Sequence, residues 1–500
     1  MRRLIAFALV CACVLCAFGA PAENTDLGEP DYVLEGYDGG ASHDWETNLF
    51  FTRMQEKTGI RFQLRQYTDS DAWDERKGSI AAGEDLPDVL FKAQLTASEI
   101  QEMSESGVLI DLTPYLQEYA PDLWAMLEAD EELKAAITLP DGKITALPAV
   151  NELPNNELVW INTTWLKNLG LEKPTTADEL TEVLKAFRDG DPNRNGKADE
   201  VPLTFLGMWE LRFLAHAFGI IDNDYYVTCK DGTVTSSLGS EEQKAFLEWL
   251  NLLWDEKLLD HQGFSTLDSL RQVTDSDATV TYGVILSTTP LTVLPTTALS
   301  QYETLDPMMY EGTQVYRDLL GEVTLGTFAI TSACKEPEKL VAWVNELYTS
   351  EGSLMLQVGL EGEEYLWNEN GEWEWMDDLT TVAEDVIPNR TLSDGGIAPG
   401  IIELDFQMKY ADSDTKKLLT WMARQREFAV SPYPLVYLSG EDRARIHELQ
   451  LPLSQYVEKT TAAFVTGDIE ITDDSWAEFT AKIQELGLSE MIEIWQKYAR

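Results

Sequence analysis

Asp31-Tyr32-Val33-Leu34-Glu35-Gly36-Tyr37 alternates apolar and polar side chains, the period-two pattern of a strand with one buried face. Downstream, Asp44 to Thr58 carries Phe50 and Met54 one helical turn apart and stops at Gly59, a residue suited to a helix end. Arg61 to Tyr67 (RFQLRQY) alternates again, a second helical stretch follows, and Leu86-Pro87-Asp88-Val89-Leu90-Phe91 completes the series. Strand, helix, strand, helix, strand opens an α/β fold, a sheet with helices on its faces.

Around residue 150 the reading shifts. Asp141-Gly142-Lys143 is a turn, Leu147 to Val150 is extended, and Glu157 to Asn162 (ELVWIN) is a new strand. Helices are predicted at Thr176 to Arg188 and at Glu241 to Glu256, where Ser240 can cap and Gln243 reach back. Thr279 to Leu286 and Thr324 to Thr331 read as buried strands, Pro337 to Tyr348 as a helix, and Glu441 to Phe464 and Asp473 to Tyr498 as helical. A chain of 500 residues exceeds the roughly 250–300 at which one core stops growing, so two or more lobes are expected. No low-complexity linker separates them, which implies several crossings. The expected division is 23–150 with 284–335 in one lobe and 151–283 with 336–500 in the other.

Residues 1–22 have the form of a secretory leader: Met1-Arg2-Arg3, an apolar run from Leu4 to Phe18, and the small-residue site Ala20-Pro21-Ala22. Val10-Cys11-Ala12-Cys13 offers a second processing site, with Cys13 acylated and the chain anchored to a membrane. Either way the protein is exported, to the cell surface, the periplasm or the medium. Beyond the leader only Cys229 and Cys334 remain, too few for a disulfide scaffold and without metal-type spacing. Acidic residues number 87 against 37 basic ones, a formal charge of −50. Such a chain repels polyphosphates, and no basic patch exists to bind nucleic acid.

Asp191-Pro192-Asn193-Arg194-Asn195-Gly196-Lys197-Ala198-Asp199-Glu200 places oxygen-bearing side chains at alternate positions around one glycine. Calcium takes six to eight oxygens, and alternate residues of a tight loop can turn theirs inward while glycine permits the bend. Asp191, Asn193 and Asn195 fill the first, third and fifth places, and the Lys197 carbonyl the seventh. Pro202 stands where an EF-hand has its bidentate glutamate, so Asp199 and Glu200 are the substitutes. The loop 191–200 reads as a structural calcium clip; the alternative is an ion-free Asp/Asn/Gly turn.

Several stretches, in this order, resemble the family 1 extracellular solute-binding proteins of ABC importers, above all the large oligosaccharide-binding and lipoprotein-type members. They are Ala81 to Val89 (AAGEDLPDV), Gly107 to Tyr115 (GVLIDLTPY), Trp160-Ile161-Asn162 with Trp165-Leu166 and Leu169-Gly170-Leu171, and Pro174-Thr175-Thr176 with Glu179-Leu180. The calcium-type loop, Glu351-Gly352-Ser353 with Gly359 to Gly362, Pro432-Tyr433-Pro434 and Trp476 follow. The chain departs from the pattern at Asn162-Thr163-Thr164, where Arg and Asp commonly precede the Trp-Leu pair. The resemblance implies a two-lobed, periplasmic-binding-protein-like fold with ligand held in a cleft and the lobes hinging shut around it. In alginate-oligosaccharide-binding relatives the comparable loop looks like a calcium site at the positions of Asp191, Asn193, Asn195, Lys197, Asp199 and Glu200.

Sugar rings have apolar faces and polar edges, so a carbohydrate cleft needs flat aromatic plates beside polar groups. Trp160, Trp209, Tyr282 and Trp367 are the candidate plates, with Tyr37 and Trp73 behind them; each could equally be ordinary core or surface. Arg212 or Arg271 could pair with a ligand carboxylate. The chain has four histidines, without metal-ligand spacing, and no G-x-S-x-G elbow. The expected function is a non-catalytic, monomeric receptor that captures an oligosaccharide or similar polar solute, neutral rather than acidic, and delivers it to ABC permease membrane subunits. The alternative is a secreted polysaccharide-active enzyme, because two carboxylates suffice for glycoside hydrolysis.

Overall fold

The computed structural model describes residues 30–39, 44–152, 158–264, 280–317, 323–369, 373–376, 389–392, 397–404, 408 and 413–499. The leader and Arg271 lie outside the described residues. The strands of the first half are β1 (Tyr32–Tyr37), β2 (Phe62–Tyr67), β3 (Val89–Phe91), β4 (Ala146–Asn151), β5 (Val159–Asn162), β6 (Val201–Phe205), β7 (Thr228–Lys230) and β8 (Thr233–Thr235). Those of the second are β9 (Tyr282–Leu286), β10 (Tyr302–Thr304), β11 (Tyr316–Arg317), β12 (Val323–Ile330), β13 (Tyr365–Trp367), β14 (Trp373–Trp375), β15 (Gly400–Ile402) and β16 (Ala429–Val430).

Six of these form one sheet in the order β15-β4-β12-β3-β1-β2, and four form another in the order β10-β5-β9-β6. Each sheet has its own core. In the first lobe Trp343 lies edge-on to Phe62 at 5.2 Å and to Phe91 at 5.7 Å. In the second, Trp165 meets Phe187 edge-on at 5.2 Å. Gly36 belongs at its place in β1 because a Cβ there would come within 1.6 Å of the Phe91 carbonyl on the neighbouring strand. Helix starts follow the sequence signals. Asn48, Asp69 and Thr96 each accept a backbone N–H at the head of their helix, and the Ser240 hydroxyl accepts from Gln243 N at 3.2 Å.

The expected division of the lobes needs correction. Strands β9 and β10, placed by sequence largely with the first lobe, pair with β5 and β6 of the second. Residues 336–404, placed with the second, pack on the first sheet through Leu340, Val344, Leu356 and β15. Among the described residues the first lobe therefore takes those within 30–152 and 323–404, and the second those within 158–317 and 413–499. The second and third crossings fall after Arg317 and after Leu404 rather than near 284 and 335. Cys229 and Cys334 belong to different lobes and are free thiols. Among the described residues no helix is long and apolar enough to cross a membrane.

At the end of β1, Asp38 pairs with Lys92 at 2.8 Å, both side chains fully buried, and Trp45 Nε1 donates to the same carboxylate at 3.0 Å. Breaking a buried pair by removing one partner costs about 3–5 kcal/mol, whereas an apolar replacement of both is close to neutral. Asp38→Ala is expected to lower unfolding stability by that amount in urea melts, and Asp38→Leu with Lys92→Met to recover most of it.

Candidate binding cleft and oxygen-rich loop

Strand directions decide where a ligand can sit. In the first sheet β1, β2, β3, β4 and β15 run parallel and β12 runs against them. The chain leaves by the carboxyl ends of β4 and β15 and enters at the amino end of β12, all on one edge. In the second sheet β6 and β9 are parallel and β5 is antiparallel to β9 and β10. Entry at the amino end of β5 is thus on the edge that holds the carboxyl ends of β6, β9 and β10. All three crossings meet the first sheet at its carboxyl edge, and the first of them enters the second sheet at its carboxyl edge as well; the crevice outside the carboxyl ends of strands is where open α/β folds bind ligands.

A groove of about 300 Å³ lies between the lobes, with Ala97 and Gln101 on the first side and Tyr225, Tyr433, Tyr437 and Trp495 among the residues opposite. Arg443 spans the gap, donating to Glu102 at 3.0 Å and Gln101 at 3.3 Å. Tyr437, carried by the segment between β16 and the helix Gly440–Thr466, is buried in a cluster with Leu90, Ile100 and Met103 of the first lobe. Beside the groove, two arginines pin the loop 222–226. Arg317 donates to the Asp222 carbonyl at 2.9 Å, and Arg212 donates to the Asn223 carbonyl at 2.8 Å and the Asp224 carboxylate at 3.2 Å. The Asp222 carboxyl is held above the usual carboxylate range by burial, against the pull of its bonds from Ser237.

The candidate aromatics are not brought together. Trp160 has no exposed surface, and its Nε1 donates to the Ser287 carbonyl at 2.9 Å. Tyr282 is buried at the amino end of β9, the edge away from the cleft, where its carbonyl accepts from the Tyr302 hydroxyl. Both are core props with no face to offer, a correction to the sequence reading. Trp73 is likewise buried, donating to the Ala93 carbonyl at 2.9 Å. Trp367 is 45% exposed, on the β13–β14 hairpin that Glu364 fastens to Arg53 at 2.8 Å. Trp209 alone stands just past the carboxyl end of β6, 54% exposed, edge-on to Phe213 at 5.3 Å. Gly207 lets the indole lie against the backbone, since a Cβ there would meet its ring at 2.8 Å. Sequence reasoning missed Arg317 and Asp222, which are 95 positions apart and leave no local signal.

The loop 191–200 precedes β6 and so sits at the opposite edge from the cleft. Backbone N–H groups organise its oxygens: Asn195 and Gly196 donate to Asp191, Asn195 also to Asn193 Oδ1 at 3.0 Å, and Lys197 to Asn195 Oδ1 at 2.7 Å. Asp191 and Gly196 take positive φ, 45° and 73°, to make the bend. Asp199 accepts from the amide of Asn195 at 2.9 Å. Glu200 Oε1 is buried without a hydrogen-bond partner, and its carboxyl is raised first by burial and then by Asp199 and Asp191. Among the described residues no three carboxylate, imidazole or thiol groups converge as a metal cluster, so the loop's oxygen set mixes carboxylates with amides.

Residues 50–288 match the model of the bacterial extracellular solute-binding protein family. Among curated proteins it is similar to the fructooligosaccharide ABC transporter substrate-binding protein FusA of Streptococcus pneumoniae, 28% identical over 97% of this chain and 95% of that one. FusA in complex with kestose superposes with a TM-score of 0.66 at 25% identity, covering 93% of this chain and 98% of that one; a FusA EF-hand mutant has also been solved. A solute-binding protein from Bifidobacterium longum infantis, described as binding HMO, shares the fold with a TM-score of 0.76 at 22% identity over 94% and 98% of the two chains.

Truncating a large core aromatic costs about 3–5 kcal/mol, whereas an exposed one costs little. Trp160→Ala is therefore expected to lower stability by that amount and Trp209→Ala by less than about 0.5 kcal/mol, read by denaturant unfolding of the two variants side by side.

Proposed function

We propose that this chain is the solute receptor of an ABC importer, which takes a neutral oligosaccharide into the cleft between its lobes and presents it unchanged to membrane permease subunits. The observation that carries this reading is that all three crossings leave or enter the first sheet at its carboxyl edge, with a groove between the lobes lined by Gln101 on one side and Tyr225 and Tyr433 on the other, a place the lobes can close on when they hinge. Likeness to FusA over nearly the full length of both chains supports a carbohydrate ligand. Trp209 supplies an exposed plate just past the carboxyl end of β6. Arg212, a candidate partner for an acidic sugar, is engaged with Asp224 and neighbouring carbonyls. A chain with 50 excess negative charges slows anionic ligands at long range. The leader at 1–22 would export the protein, with Cys13 as the lipid anchor in the second processing route.

Calorimetry with kestose and with a uronic-acid trisaccharide, at low and physiological salt, tests this. The expected result is neutral-sugar binding that changes little with salt, the sugar recovered intact afterwards, and an affinity about 10-fold weaker in Trp209→Ala, equivalent to about 1.4 kcal/mol. Binding confined to the uronate would remove the neutral ligand from the reading, and release of shorter products would replace the receptor with an enzyme.

We further propose that Asp191, Asn193, Asn195, Asp199 and Glu200, with the Lys197 carbonyl, hold one structural calcium. Their all-oxygen donor set suits a hard cation, and the partnerless buried oxygen of Glu200 is an atom such an ion would satisfy. A carboxyl raised in the folded state disfavours folding once it ionises, so in chelator at neutral pH Glu200→Gln should melt higher than wild type, while losing the stabilisation that calcium gives wild type. Each 1 kcal/mol moves the midpoint by about 2–4 °C in a unit of lobe size. Identical melting of wild type with calcium and with chelator would exclude the ion.

A further inference from the structure

Behind Trp209, in the second lobe, the 3-10 helix Met208–Phe218 and the helices Glu241–Asp255 and Gly440–Thr466 leave a pocket of about 100 Å³. Its inner wall is Ala215, Ile220, Leu238, Phe246 and Leu247. Several of the polar atoms that reach this inner region have prior commitments. The Asp222 carboxylate accepts from Ser237 N at 2.8 Å and from the Ser237 hydroxyl at 2.5 Å, Gln243 Oε1 accepts from Gly239 N at 2.6 Å, and Arg317 donates to the Asp222 carbonyl. A sugar hydroxyl pushed inside would give up its bonds to water and find its hydrogen-bonding needs poorly met, a cost of about 1–3 kcal/mol on mutational scales. A methyl group entering the same space gains apolar burial instead. The outer part of the pocket is different in character. Trp209 offers a plate, and Glu458 and Thr461, one turn apart on the long helix, add a carboxylate and a hydroxyl.

Size narrows the occupant. About 100 Å³ is smaller than a cavity of about 150 Å³ that holds a benzene ring, too little for a sugar ring and enough for a substituent of about one to four heavy atoms. Trp209 links the pocket to the carboxyl edge of β6, and Arg317 to the chain crossing that follows it. A substituent lodged inside therefore belongs to a sugar unit lying on Trp209, at the cleft.

We infer that this pocket selects oligosaccharides whose unit on Trp209 bears a small methyl-ended substituent, as a 6-deoxy sugar or an N-acetylated sugar does, an inference that rests on the receptor reading above. The methyl enters between Ala215, Leu238 and Phe246, while the ring stays on Trp209 within reach of Glu458 and Thr461.

Two matched pairs of neutral probes test it by calorimetry: chitotriose against cellotriose, which differ in acetamido for hydroxyl, and a fucose-ended against an L-galactose-ended trisaccharide, which differ in a 6-methyl for a hydroxymethyl group. Wild type is expected to bind the substituted member of at least one pair about 10-fold more tightly or better. The pair that discriminates tells the acetyl from the deoxy case. Ala215→Val and Leu238→Phe fill the pocket from opposite sides, so either one that melts within a few degrees of wild type serves. Each is expected to abolish the preference and leave the affinity of the unsubstituted member within about 2-fold. Equal affinities within both pairs, or a preference that survives filling, overturns the inference while kestose binding keeps the receptor reading intact. Absence of binding to every probe, kestose included, overturns both.

Discussion

Everything in this protein depends on one topological constraint: the chain passes between its lobes three times, always at the carboxyl edge of the first sheet. Each lobe has its own packed core, with a sheet whose central strands are buried and helices packed on it, such as the Phe62, Phe91 and Trp343 cluster in one and Trp165 with Phe187 in the other. The links between them are short stretches at residues 152–158, 317–323 and 404–413. Two separately packed bodies joined at one edge have a hinge as their softest motion. Contacts such as Arg443 with Glu102 cross the gap that such a hinge would open and close. An exposed ion pair of this kind is worth about 0–1 kcal/mol, too little to lock the lobes and enough to bias them.

The two ends of the second sheet carry different tasks. Its carboxyl edge presents Trp209 and the loop pinned by Arg212 and Arg317, while its amino edge carries the oxygen-rich loop 191–200. Separation by a strand length means that a cation there could act on stability without touching solute. It would also gather three carboxylates in a chain that is already strongly acidic, which gives the loop a reason to need a positive partner.

Much of this was legible in the sequence because it is local. Period-two alternation found β1 and β2 within a residue of their bounds, and the strand-helix alternation gave the α/β class. Strand ownership was not legible. The run TVTYGVIL looks the same whichever sheet receives it, and only pairing with β5 and β6 assigns it to the second lobe. The aromatic candidates failed for a related reason. Trp160 sits in Val159-Trp160-Ile161, an unbroken apolar run that signals burial on both faces, whereas Trp209 follows a glycine beyond a strand end, where a side chain can stay exposed. The pocket behind Trp209 is assembled from three helices and Arg317, spread over some 250 positions, and nothing local announces it.

The central claim is that the lobes close on solute about the carboxyl edge of the first sheet, where all three crossings attach. Interlobe distance tests it most directly: nitroxide labels at Glu105 and Glu441, exposed sites on opposite sides of the cleft, in a background with Cys229 and Cys334 replaced by serine. Pulsed dipolar spectroscopy should give a broad distribution in free protein that shortens and narrows with saturating oligosaccharide. An unchanged distribution in the presence of bound sugar would contradict the hinge.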